Sequence, residues 1–227
     1  MSQRPEVIRA LVTSSTLGFT AGYVDTVGFI ALFGLFTAHV TGNFVLIGSE
    51  VAHPSHGVLI KLLAFAAFVV AVAVSRLLAL SAECRGPRLQ RLLLLLQCAL
   101  LAACVLCGWR AQPIVDASAP WVLATGVAGA AAMGVQNAAA RLAFSDLAPT
   151  TVMTGNVTQL VLDLVDLLRG GATDAGLRGR IHKFFWPVFA FACGALCGAL
   201  VFVRASFWAL ALPLVMLAGL ALAPPPR

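Results

Sequence analysis

Residues 21–48 read AGYVDTVGFIALFGLFTAHVTGNFVLIG, and residues 133–161 read MGVQNAAARLAFSDLAPTTVMTGNVTQLV. Aligned, Gly22 falls on Gly134 and Asp25 on Asn137; after a one-residue insertion, Thr41, Gly42 and Asn43 fall on Thr154, Gly155 and Asn156. A shared three-letter word alone carries little weight. Order, spacing and position agree as well, so the chain reads as an internal duplication. What surrounds these two stretches decides how the copies are oriented.

The chain has 227 residues, 60% of them apolar and 11% charged, with a mean hydropathy of +0.96. Soluble domains run at about 45–50% apolar and about 25% charged. A water-facing surface cannot be covered from this composition without large apolar patches, which excludes a soluble enzyme, a disordered tail and a nucleic-acid module. The net charge of +6 comes from cations scattered singly between apolar runs. That is a topology signal in a bilayer rather than a phosphate-binding stripe. The lipid bilayer is therefore the first expected partner, and nucleic acid is not one.

Six stretches have the roughly 20 apolar residues needed to cross hydrocarbon: about 10–33, 59–80, 91–109, 119–141, 184–203 and 205–222. The last two are separated by little more than Arg204, which demands a tight hairpin, and Pro224, Pro225 and Pro226 stop the last helix. Arg4 and Arg9 before the first run look like the start of a signal peptide. The run is too long for one and carries Asp25, so it reads as a retained span.

Residues 34–52 and 149–168 are long enough to cross but hold glycines, polar residues and, in the second, Asp163 and Asp166. If only the six spans cross, with the N-terminus inside, all cations but Lys61, Arg110 and Arg204 lie on the cytoplasmic side. If both extra segments crossed, Arg85, Arg88 and Arg91 would move outside, against the lysine and arginine bias. The expectation is six crossings with both termini cytoplasmic, in a bacterial inner membrane. Three crossings per copy is an odd number, so the copies are inverted relative to each other. The expected fold is an all-α membrane protein: one domain over 1–227, repeat 1 at about 8–110 and repeat 2 at about 118–223, each with a broken or re-entrant TGN segment.

Thr-Gly-Asn is poor helix interior and good capping sequence. Thr41 or Asn43, and Thr154 or Asn156, read as N-caps of short helices whose N-termini face a cavity and attract an anion. The bland alternative is a capped interfacial bend. Asp25 sits about 22 Å along a span from Arg9 at 1.5 Å per residue. An acid there costs about 2.5–3.5 kcal/mol to insert and is a functional candidate. Asn137 and Gln136 are its expected partners, with His39 or Arg141 compensating its charge; the alternative is a purely structural clamp. The candidate solute-binding set is Asp25, His39, Thr41, Gly42, Asn43, Gln136, Asn137, Arg141, Thr154, Gly155 and Asn156.

Gly18, Gly22 and Thr26 recur every four residues, as do Gly126, Ala130 and Gly134. Such small-residue seams allow close helix approach, and these two are expected to pack on each other. A third seam, Gly194 and Gly198, is expected to face a second protomer in a homo-oligomer. Five of the six cysteines lie inside apolar runs and read as small hydrophobes, the Cys104–Cys107 pair included. His53 and His56 have metal-like spacing in a solvated loop, with no acidic or cysteine partner close in sequence. Asp163 and Asp166 read as the polar stripe of an amphipathic helix. No metal and no cofactor are expected.

At GYVDTVGFIALFGLFTAHVTGN, GVQNAAAR and TTVMTGNVTQL the chain resembles the YoaK-like family, bacterial inner-membrane proteins known as a domain of unknown function. The likeness covers nearly the whole chain. It carries over to Gly22, Asp25, Thr41, Gly42, Asn43, Gln136, Asn137, Thr151, Thr154 and Gly155. Gln159 departs from an acidic residue of the family pattern, whereas Asp163 matches another acidic position. The family supplies no activity. The sequence has no HExxH, no GxSxG and no paired intramembrane aspartates, so no enzyme is expected. The expected function is a small secondary transporter or channel for a small solute, anionic and proton-coupled in its sharpest form. The alternative is a non-catalytic membrane scaffold or assembly partner.

Overall fold

The computed structural model describes residues 3–52, 57–81, 86–169 and 175–223, excluding the side chains of Gln3, Arg4, Pro5 and Ala175. His53, His56, Cys84, Arg85 and the triple proline lie outside the described residues. Among them the chain is all helical: α1 (Gln3–Ala31), α2 (Gly42–Ala52), α3 (Val58–Leu80), α4 (Pro87–Arg110), α5 (Pro120–Leu142), α6 (Met153–Leu168), α7 (Ala175–Ala205) and α8 (Ala211–Leu222). A 3₁₀ turn, Ser206–Leu210, joins the last two.

Four stretches are long and apolar enough to cross a membrane: Val58–Leu80, Pro87–Arg110, Pro120–Leu142 and Gly176–Leu222. The last holds both α7 and α8. The 29-residue α1 is long enough but too polar to count among the four, since Ser14, Ser15, Thr16, Thr20, Tyr23, Asp25 and Thr26 dilute its apolar face. It is nevertheless deeply packed, with Leu17, Ala21, Tyr23, Val24 and Val27 all buried.

The starts and stops follow from local chemistry. α4 and α5 open with Pro87 and Pro120 in their first turns, where a missing N–H costs nothing. α1 closes with a left-handed pair, Phe33 (φ 54°) and Gly34 (φ 73°), and the Gly34 N–H reaches the Phe29 carbonyl at 3.1 Å. This bond pattern reverses the chain so that residues 35–41 run back along α1. The expected tight hairpin after Arg204 is made by Ser206, whose φ of 49° is again left-handed, and by a hydrogen bond from Gln112 to its hydroxyl.

Contrary to expectation, the seams of α1 and α5 do not pack on each other. A Cβ added at Gly18 or Gly22 would meet backbone of α7, at Pro187 and Phe191, and Gly194 and Gly198 lie equally close to the backbone of Phe19 and Tyr23. The third seam therefore faces α1, within the same chain. Gly126 meets Ile60 and Leu35, and Gly134 meets the backbone of Phe68, so α5 packs along α3. Ala130, between them, is fully buried. Side chains this small let backbones approach without a large side chain between them, and each seam chose the helix two elements along in the other copy. The 3₁₀ turn covers the end of α4, where Phe207 fills the space left by Gly108.

Candidate functional site

Asp25 is buried, 6% exposed, and its partners come from the segment that doubles back. Its Oδ1 accepts from the backbone N–H groups of Thr37 and Ala38, both at 2.7 Å, and more weakly from His39 at 3.4 Å and from the Thr37 hydroxyl at 3.3 Å. One carboxylate oxygen thus gathers successive donors that no helix or strand satisfies. Asn43 then locks the same segment from the α2 side. Its amide donates to the Phe36 carbonyl at 2.8 Å and accepts from the Phe36 N–H at 2.9 Å. Asp25, Thr26, Phe29, Phe36 and Phe191 enclose a cavity of about 230 Å³.

The second copy repeats the plan with different chemistry. Asn137 donates to the Thr151 hydroxyl at 2.8 Å. Asn156 donates to the Pro149 carbonyl at 2.6 Å, reaching back the same seven residues as Asn43 does to Phe36. Asn137, Ala140, Arg141, Ser145, Leu147, Pro149, Thr151 and Val152 line a cavity of about 340 Å³. It is more polar than its counterpart and holds a cation, Arg141, where the first has Phe29.

Asp25 therefore does not meet Asn137 or Gln136: the donors that reach its Oδ1 all come from its own loop. Gln136 instead centres a buried network: it accepts from Gln97 at 2.7 Å and donates to the Leu17 carbonyl at 2.9 Å and the Thr150 hydroxyl at 3.1 Å. Arg141 does not balance the charge of Asp25, whereas His39 donates its backbone N–H to it and its ring, when charged, favours the carboxylate. The His39 ring is exposed and rests edge-on against Phe36, and Arg141 lies in the other cavity.

The TGN residues do not cap their helices with side chains. α2 begins at Gly42 after an exposed Thr41, whereas Thr154, Gly155 and Asn156 lie inside α6, whose flanking residue is Val152. The two asparagines are buried because they hold the preceding segment, a bond of longer reach than an N-cap.

Two ion pairs were not readable from spacing. Lys61, 1% exposed, binds Glu50 at 2.6 Å and the Phe33 carbonyl at 2.9 Å, tying α2 and the end of α1 to α3. Arg180 binds Asp163 at 3.3 Å, tying α6 to α7. Asp163 is buried, not part of a surface stripe, and also accepts from Gln159 at 3.0 Å; Asp166 is exposed. Each pair leaves one carboxylate oxygen, Oε2 of Glu50 and Oδ2 of Asp163, buried without a partner. The available signal was the repeat itself, since Glu50 and Asp163 stand at the same distance from their TGN words.

The five described cysteines, Cys98, Cys104, Cys107, Cys193 and Cys197, are free, and no cluster of three metal-ligating side chains occurs among the described residues. Residues 13–223 match the family described as protein of unknown function, DUF1275. The chain belongs to this family. The match spans both copies of the repeat, so the DUF1275 unit includes both loop clasps and both ion pairs. No curated protein and no solved structure matches.

Proposed function

We propose that this DUF1275 protein is a small secondary transporter or channel of the bacterial inner membrane, with six crossings, both termini cytoplasmic and two inverted halves. The observation that carries this reading is the paired clasp: in each half a polar residue late in the opening helix holds a non-helical segment, and a cavity opens beside it. Non-helical backbone at membrane depth is tolerated where it lines a cavity or is buried in protein. Broken segments from two inverted halves are the usual place for a solute site. The packing of α1 on α7 and of α5 on α3 supports a paired arrangement of the two halves, since each opening helix lies on the third helix of the other half.

The solute is a small anion. Arg141, Asn137, Ser145 and the Thr151 hydroxyl converge on one cavity with no acidic residue in its lining. Asp25 on the opposite side serves as the coupling carboxylate. Asp25→Asn keeps an oxygen acceptor for the Thr37 and Ala38 N–H groups, so it folds. The test is uptake by proteoliposomes holding the full-length protein, across a panel of small radiolabelled carboxylates. Wild type accumulates at least one above empty vesicles, Arg141→Gln reduces that uptake and Asp25→Asn abolishes it. Normal uptake by the Asp25→Asn protein removes the coupling role.

The scaffold reading is favoured by one observation: every hydrogen bond to Asp25 comes from its own loop, as in a clamp that only holds structure. It predicts no uptake above empty vesicles for any member of the panel.

A further inference from the structure

A cavity away from both clasps lies where the start of α1, the start of α4 and the end of α8 converge. It encloses about 660 Å³. Its walls are apolar, from Ile8, Val12, Leu94, Phe144, Leu220 and Leu222, and three arginines, Arg9, Arg88 and Arg91, stand at its edge. No acidic residue lines it, and none of the three arginines makes an ion pair among the described residues. All three are exposed. Gln90, also in the lining, spends its amide on the Ala143 carbonyl at 2.8 Å and so fixes the α4 wall to the end of α5.

Three arginines with no ion pair among the described residues, beside an apolar trough, define the chemistry of an occupant. It must carry negative charge at one end and hydrocarbon at the other. Free phosphate would satisfy the arginines and leave the trough empty, whereas a zwitterionic lipid would fill the trough and bring no net charge. We propose that this cavity holds one anionic diacyl phospholipid, its phosphate among Arg9, Arg88 and Arg91 and an acyl chain along Val12, Leu94 and Leu220. The six-crossing topology places this end of the bundle in the cytoplasmic leaflet, where basic pockets between spans recognise anionic headgroups. The site does not depend on transport, and it would persist in a scaffold.

The test is native mass spectrometry of the full-length protein in detergent, titrated with dioleoylphosphatidylglycerol or with dioleoylphosphatidylcholine. The expected result is a saturable single adduct with the glycerol lipid, and binding of the choline lipid weaker by tenfold or more. Arg88→Gln and Arg91→Gln each weaken the glycerol-lipid adduct about fivefold, the worth of one cation near a phosphate headgroup. Lysine at the same positions retains most of it. Arg76→Gln, on an exposed cation outside the cavity, leaves binding unchanged and reports on folding and general charge. Three results overturn the proposal: equal binding of the two lipids, equal weakening by Arg76→Gln, or displacement of the lipid by inorganic phosphate.

Discussion

The first clasp is held by a carboxyl group and closed, and the second is held by an amide and more open. Asp25 draws in backbone donors from Thr37 and Ala38, and Asn43 grips Phe36 with both ends of its amide. In the second copy Asn137 reaches a single hydroxyl, and Asn156 makes only one bond to residue 149 because proline has no N–H to return. The same difference recurs in the ion pairs: Lys61 and Glu50 are both shielded, whereas the side chain of Arg180 is 52% exposed. One duplicated frame thus carries a tight half and a looser half. The loose half holds the larger of the two cavities and its only cation.

The largest expected effect is at the tight ion pair. Lys61→Met leaves Glu50 charged and shielded, which costs about 3–5 kcal/mol for a broken buried pair. Arg180→Met costs less, because that pair is longer, at 3.3 Å against 2.6 Å, its guanidinium is half exposed, and Gln159 still donates to Asp163 at 3.0 Å once the arginine is gone. The unfolding midpoints of both variants in one detergent give the comparison, and adding Glu50→Leu to Lys61→Met recovers most of the loss. Equal shifts for Lys61→Met and Arg180→Met would mean that the halves are equally tight.

The clasps come next. Asp25→Ala strands the Thr37 and Ala38 N–H groups in a buried site, a loss of about 3 kcal/mol from two unsatisfied donors. Asn137→Ala strands only a hydroxyl that can turn, a loss of about 1 kcal/mol. Hydrogen exchange at Thr37 and Ala38 separates the two: it accelerates in the first variant and not in the second.

The glycine seams sharpen the contrast further. A Cβ at Gly22 would lie 2.1 Å from the Phe191 carbonyl oxygen, whereas at Gly134 the nearest atom is 2.8 Å away. Gly22→Ala should therefore cost about 2–3 kcal/mol and Gly134→Ala nearer 1 kcal/mol, both within the usual range for overpacking. The smallest effect is a gain. Gly155 in α6 has open space around a built Cβ, so Gly155→Ala raises the midpoint by up to about 1 kcal/mol of helix propensity.

Much of the helical framework is legible in the sequence. The apolar runs at 59–80, 91–109 and 119–141 became α3, α4 and α5, because a long apolar stretch has few alternatives to a helix. The likeness of the two stretches is visible because Asp25, Asn137 and the TGN words are chemically distinctive. Partnership was not legible. Asp25 could be seen to need donors, but nothing local says that they are backbone groups brought by the left-handed pair Phe33 and Gly34. Seam choice was equally hidden: Gly22 announces a close neighbour without naming it, and three seams allow more than one pairing. Lys61 was missed because a lysine at the start of an apolar run looks like a snorkelling end. Only the fold shows Glu50 within 2.6 Å.

The central claim is that the two halves face opposite ways, with α2 and α6 returning to the side from which their segments entered. Single cysteines at the exposed positions Ser49, Asp116, Ser145 and Arg169, in a cysteine-free background, test it with a membrane-impermeant maleimide on sealed vesicles of known orientation. The account predicts that positions 49 and 116 are labelled from one side, and 145 and 169 from the other. Labelling of 49 together with 145, or of all four from one side, would contradict it.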